Sequence, residues 1–120
     1  MSHRAKTEKR AIGDAGERRV AWYLRFRGYR ILERNWRSGH KEVDIIAAKR
    51  GVIAFVEVKT RLSASAGLPQ MAVTRDKMAN ITAAARAYSM LHDTRGRLIR
   101  FDMAEVTDKG INYIKSAFHG

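Results

Sequence analysis

Cysteine is absent from the 120-residue chain, which excludes both a disulfide framework and a thiolate-bound metal. Proline occurs once, at Pro69, so boundaries between elements have to be read from glycine and from changes of pattern. No apolar run comes near the ~20 residues that a membrane-spanning helix needs. The first ten residues, MSHRAKTEKR, lack the apolar stretch of a secretory signal, and the expected compartment is the cytoplasm. His3, His40, His92 and His119 are scattered without ligand spacing, and there is neither a Gly-rich phosphate loop nor a nucleophile elbow. These absences set aside histidine-ligated metal sites, nucleotide-binding loops and serine-hydrolase chemistry.

Acidic residues are scarce too: 12 Asp and Glu stand against 24 Lys and Arg, a formal charge of +12. An excess of this size favours a polyanionic partner, nucleic acid above all. With 45% hydrophobic residues and no internal repeat, residues 1–120 are expected to form one soluble domain around a single core.

The apolar pattern alternates between helical and strand periods, an α/β arrangement. After a short, basic, mobile start at Met1 to Thr7, a helix is expected from Glu8 to Arg27, stopped by Gly28. Glu17 falls on its apolar stripe with Val20, Ala21 and Leu24, so its carboxylate points inward or along the seam. Gly13 and Gly16 weaken the helix but allow close approach to a strand or a phosphate. Tyr29 to Arg37 reads as a strand, with Tyr29, Ile31 and Glu33 on one face and Arg30, Leu32 and Arg34 on the other. Trp36 at its end is read as partly buried packing in preference to a base-stacking group. Leu62 to Gln70, a small-residue loop, reads as a flexible flap. A second helix follows from Thr74, its N-cap, to Leu91, with Lys77 at its third position and Met78, Ile81, Ala84 or Ala85, Tyr88 and Leu91 facing a sheet. Leu98 to Val106 and Ile111 to Phe118 close the chain as a hairpin.

The chain is organised around His40 to Arg61, HKEVDIIAAKRGVIAFVEVKTR. Lys49-Arg50-Gly51 interrupts two apolar runs, so the stretch reads as two strands and a turn. Alternation puts Glu42 and Asp44 on a side with Ile46, and Glu57 and Lys59 on a side with Ile53 and Phe55. Ionisable groups therefore occupy positions where the pattern expects core, and they need partners or a chemical role. A two-residue loop at Lys49-Arg50 would set Glu42 opposite Glu57 and Asp44 opposite Phe55. A four-residue loop from Lys49 to Val52 would set Asp44 opposite Glu57. In either register two carboxylates meet without a cation between them, and a bound divalent metal is the simplest remedy. Asp44 and Glu57 would hold a hard ion such as Mg²⁺ or Mn²⁺, which needs only one or two protein carboxylates. The Lys59 ammonium alongside would orient a nucleophile or offset transition-state charge.

The pattern Gly16-Glu17, Ala21 to Leu24, Gly28-Tyr29, Arg34-Asn35-Trp36-Arg37, Glu42-Val43-Asp44-Ile45-Ile46-Ala47, Phe55-Val56-Glu57-Val58-Lys59-Thr60-Arg61, Arg100-Phe101-Asp102 and Ala117-Phe118 resembles the YraN-like family of small bacterial proteins. The resemblance covers nearly the whole chain. It implies the restriction-endonuclease-like fold of the PD-(D/E)xK superfamily: an αβββαβ core, with a central mixed sheet flanked by two helices, similar to archaeal Holliday junction resolvases. By that analogy Asp44 and Glu57 are the metal-binding acids, Lys59 the catalytic lysine and Glu17 the carboxylate of the first helix. A homodimer is implied as well, since resolvase-like proteins act as dimers. Lys41 departs from the family pattern, which has glycine before its Glu-Ile-Asp.

Three functional classes follow. The first is a metal-dependent endonuclease cleaving branched or single-stranded DNA through Glu17, Asp44, Glu57 and Lys59, with Glu42 as an accessory or surface residue. The second is a non-catalytic nucleic-acid-binding module of the same fold. The third is a protein-interaction subunit whose basicity is incidental.

Overall fold

The computed structural model describes residues 3–61 and 75–118; the expected Leu62–Gln70 flap and the Thr74 cap lie outside them. Helix α1 (His3–Phe26) starts earlier than the expected Glu8, because Ala5, Lys6 and Glu8 are good helix formers and no Gly or Pro interrupts them. It stops where the pattern places its end. The Tyr29 N–H bonds to the Leu24 carbonyl and the Gly28 N–H to that of Arg25, each at 3.0 Å. Gly28 makes this reversal at φ 88°, a conformation a side chain would oppose. The wrap brings Tyr29 against Leu24 in the core.

Strands β1 (Arg30–Ser38), β2 (Lys41–Lys49) and β3 (Val52–Thr60), helix α2 (Arg75–Leu91) and strands β4 (Leu98–Thr107) and β5 (Gly110–Phe118) follow. They build a five-stranded mixed sheet in chain order. All neighbouring pairs are antiparallel except β3 and β4, which run parallel and are joined through α2. The order helix, three strands, helix, strand is the expected αβββαβ core, with β5 added at the far edge.

The sheet separates two apolar layers. On one face Val20, Ala21 and Leu24 of α1 pack against Ile45, Ala47, Ala54, Val56 and Val106. On the other, Ile81, Ala84, Ala85 and Tyr88 of α2 cover Val43, Ile46, Ile53, Phe55 and Phe101. Ile53 to Val56 are all buried, as a central strand covered on both faces requires. Gly16 lies so close to β3 that a Cβ there would collide with Thr60, the strand approach its small size permits. Trp36 packs edge-on against Tyr88 at 5.5 Å, a packing role. Leu91, expected in the core, is 71% exposed, because it is the last residue of α2 and the buried stripe of that helix ends at Tyr88.

The expected alternation of β1 does not persist. A bulge between Ile31 and Glu33 shifts the strand by one residue, so Glu33 pairs with Ile46 of the α2-side layer while Arg34 reaches Glu17 of α1. Asn35, at φ 53°, lies between the Arg34–Ile45 and Trp36–Val43 pairs, across from Asp44.

Candidate functional site

The β2–β3 turn decides how the carboxylates meet. Lys49 pairs with Val52 and Ala48 with Ile53, leaving Arg50 and Gly51 as a tight turn with φ 45° and 79°, the positive values that a two-residue hairpin loop demands. This is the register in which Asp44 stands opposite Glu57. The backbone ladder reaches Ile45 and Val56, and at the next step the side chain of Asp44 takes over: the Val58 N–H donates to Asp44 Oδ2 at 2.8 Å. Among the described residues Asp44 has no other hydrogen bond.

Asp44, Glu57 and Glu42 line one cleft of about 350 Å³ between the sheet and the first turns of α2, closed by His40, Asp76, Lys77, Asn80 and Ile81. Asn80 ties the helix to the strand, accepting from the Glu42 N–H at 3.0 Å and donating to the His40 carbonyl at 3.3 Å. Burial, followed by the nearby charge of Glu57, pushes the Asp44 carboxyl up from 3.8 to about 7; the Val58 N–H opposes the rise, and Glu17 and Glu42 add to it. Asp44 therefore keeps its proton well above the ordinary carboxylate range.

The expected residues do not all share this cleft. Glu17, 9% exposed, lines an adjoining one on the α1 side with Arg10, Asp14, Asn35 and Arg37. Its Oε1 lies 3.8 Å from Arg34 Nη2 and makes no hydrogen bond. Burial raises its pKa, against a hydrogen bond from Asn35 and the charge of Arg34. Glu42 stands between the clefts, paired with Arg37 at 3.1 Å. Lys59 is exposed, two residues beyond Glu57, and does not line the cleft.

The ammonium inside the cleft belongs to Lys77, whose Nζ is 2.6 Å from Glu57 Oε1. That hydrogen bond is the main reason its pKa is raised. The sequence placed Lys77 only at the third position of a helix. A cation in a first turn opposes the helix macrodipole, and that conflict was the legible sign of an acidic partner.

No three Asp, Glu or His among the described residues are grouped closely enough to hold a metal by themselves. The donor chemistry nonetheless suits a hard divalent ion, which takes one or two carboxylates and keeps its waters. Asp44 retains an oxygen free of hydrogen bonds, and a cation would relieve the repulsion that raises its pKa. Glu57 Oε1 would have to be shared with, or released by, Lys77.

Among the described residues no helix is long and apolar enough to cross a membrane. Comparison with known proteins places the chain among bacterial relatives. It is 47% identical to a UPF0102 protein of Trichlorobacter lovleyi over 114 residues, 90% of each chain. It is 41% identical to one of Persephonella marina over 106 residues, 88% of this chain and 91% of the relative. A UPF0102 protein of Myxococcus xanthus is 35% identical over 98% of this chain and 97% of its own. The family described as "Uncharacterised protein family UPF0102" matches residues 16–106, from the glycine that meets β3 to the end of β4. The chain belongs to the UPF0102 family, the YraN-like proteins whose motifs its sequence carries.

Proposed function

We propose that this protein is a cytoplasmic, metal-dependent endonuclease of restriction-endonuclease-like fold that cleaves phosphodiester bonds in branched or single-stranded DNA. The observation that carries this reading is the convergence of Asp44 and Glu57 at the end of the central strands in a chain of charge +12. Carboxylates held this close raise each other's cost, and a stable fold has no need of them. The αβββαβ order agrees with the fold that the family resemblance implies.

Asp44 and Glu57 would hold Mg²⁺ or Mn²⁺. When bound, such an ion polarises a phosphoryl oxygen and makes a bound water more acidic. Asp44, fixed by the Val58 N–H, presents its other oxygen in a fixed direction. Lys59, exposed near the end of β3, would meet a substrate phosphate outside the cleft. Glu17 and Arg34 border the site from the α1 side.

The test is incubation of labelled single-stranded and branched DNA with Mn²⁺ or Mg²⁺. Cleavage is expected, and Asp44→Ala or Glu57→Ala should reduce it by about a hundredfold or more. Cleavage surviving both substitutions would sink the proposal. One observation favours the non-catalytic nucleic-acid-binding module instead: Lys77 already supplies Glu57 with a cation. Binding that weakens steeply with salt, with no product under any divalent ion, would select that reading.

A further inference from the structure

Helix α1 carries two large rings that the core does not use. Trp22 is 54% exposed and Phe26 83% exposed, one turn apart with centroids 6.1 Å from each other. Their neighbour Tyr23 is treated differently: it stacks on Tyr113 at 5.4 Å and is packed against the α1-side core. Exposed aromatic surface of this kind costs solubility and marks a contact site.

The charge around these rings says what the contact is. From Arg18 to Leu32 the chain has five arginines, Arg18, Arg19, Arg25, Arg27 and Arg30, and no acidic residue. All five are exposed. The Arg25 guanidinium lies over the Trp22 ring, 5.0 Å from its centroid, so cation and aromatic plane form one surface. A second copy of the chain meeting this face about a twofold axis would set the same arginines against each other. The overall charge of +12 and the nucleic-acid reading above favour a polyanion whose own flat faces can meet the rings. Unpaired nucleobases need that combination: flat faces for the bases and guanidinium groups for the phosphates between them.

We propose that the Trp22–Phe26 face of α1, with Arg18 and Arg25, is a base-stacking platform for single-stranded nucleic acid. The inference rests on the nucleic-acid reading above and deepens it, because a duplex keeps its bases stacked internally and cannot use the rings. Trp22 is five residues from Glu17, about 7.5 Å of helix rise. That step also carries Trp22 about 140° around the helix from Glu17, so the exposed platform is a surface separate from the carboxylate clefts.

The experiment measures anisotropy of a fluorescein-labelled oligo-dT of about 20 nucleotides, enough to exceed one stacking site, beside a duplex of equal length and an abasic oligonucleotide. For the Trp22→Ala, Phe26→Ala double variant, affinity for oligo-dT should fall about ten- to a hundredfold, with the salt dependence retained. Duplex and abasic binding should change less than about threefold, since those ligands offer phosphates alone. Trp22→Phe should restore most of the loss at its position, and Arg18→Ala with Arg25→Ala should flatten the salt slope. Unchanged oligo-dT affinity in the double variant would overturn the platform and leave the nucleic-acid reading standing. Failure of the unaltered protein to bind any of the three ligands would overturn both. A dimer of the unaltered protein that dissociates in the double variant would also overturn it, assigning the face to self-association.

Discussion

Asp102 on β4 and Asp44 on β2 are carboxylates of the same inner sheet, and the fold treats them in opposite ways. Asp102, fully buried, receives Arg100 through Nε at 2.8 Å and Nη2 at 2.7 Å, the Tyr113 hydroxyl at 2.6 Å and the Ser116 N–H at 3.0 Å. Arg100 also donates to the Tyr29 hydroxyl at 2.7 Å, tying β4, β5 and the end of α1 into one satisfied network. Its pKa is raised by Asp102, and the Tyr113 pKa by burial and then Asp102. Asp44 receives one backbone N–H and is surrounded by Glu57, Glu17 and Glu42. A buried acid given complementary donors is part of the architecture. A half-buried acid set among like charges is left for something that comes from outside.

The largest expected effect comes from breaking the satisfied half of this contrast. Asp102→Ala leaves the Arg100 charge in a nearly dry site and should cost about 3–5 kcal/mol, read as a lower urea midpoint at unchanged slope. A loss below about 1 kcal/mol would mean that the network is dispensable.

The opposite sign is expected at Asp44. Its folded-state pKa of about 7 lies above the ordinary 3.8, so between those values the folded chain binds this proton and the unfolded chain does not. Stability from this group is intact below about pH 4, falls as pH rises toward about 7 and stays level above. Asp44→Asn keeps an acceptor for Val58 and removes the charge. It should match the unaltered protein at pH 4 and exceed it by about 2 kcal/mol at pH 8. Thermal melts at the two pH values check this, and equal stability at both would place Asp44 with Asp102 as a structural acid.

Lys77→Met sharpens the comparison with the smallest change. Lys77 is half exposed, so its loss should cost less than about 1 kcal/mol. Mn²⁺ affinity, measured by titration calorimetry, should rise severalfold once the ammonium no longer occupies Glu57 Oε1. Unchanged affinity would show that ammonium and ion do not compete for that carboxylate.

Much of this arrangement was legible beforehand. The Gly28 stop, the covered β3 strand and the closing hairpin follow from local pattern, because helix caps, apolar runs and turn residues act within a few positions. Asp44, Glu57 and Glu17 stood out because charges occupied positions that periodicity assigns to core. Lys77 and Asn80 did not, since they reach the cleft from a helix that follows β3 by an intervening segment. The bulge at Ile31–Glu33 was equally hidden: it comes from fitting a twisted edge strand to its neighbour, and Arg34 consequently faces Glu17.

The sequence by itself determined the element order, the strong positive charge and the presence of misplaced carboxylates, all properties of neighbouring residues or of simple sums. Only the tertiary structure chose between the two hairpin registers, because the choice rests on whether Arg50 and Gly51 can both adopt positive φ while α2 covers the strands. It also separated Glu17 from Asp44 by laying α1 and α2 on opposite faces of the sheet. Finally, it set Lys77 against Glu57, a contact between residues that only the packing of α2 brings within hydrogen-bond range.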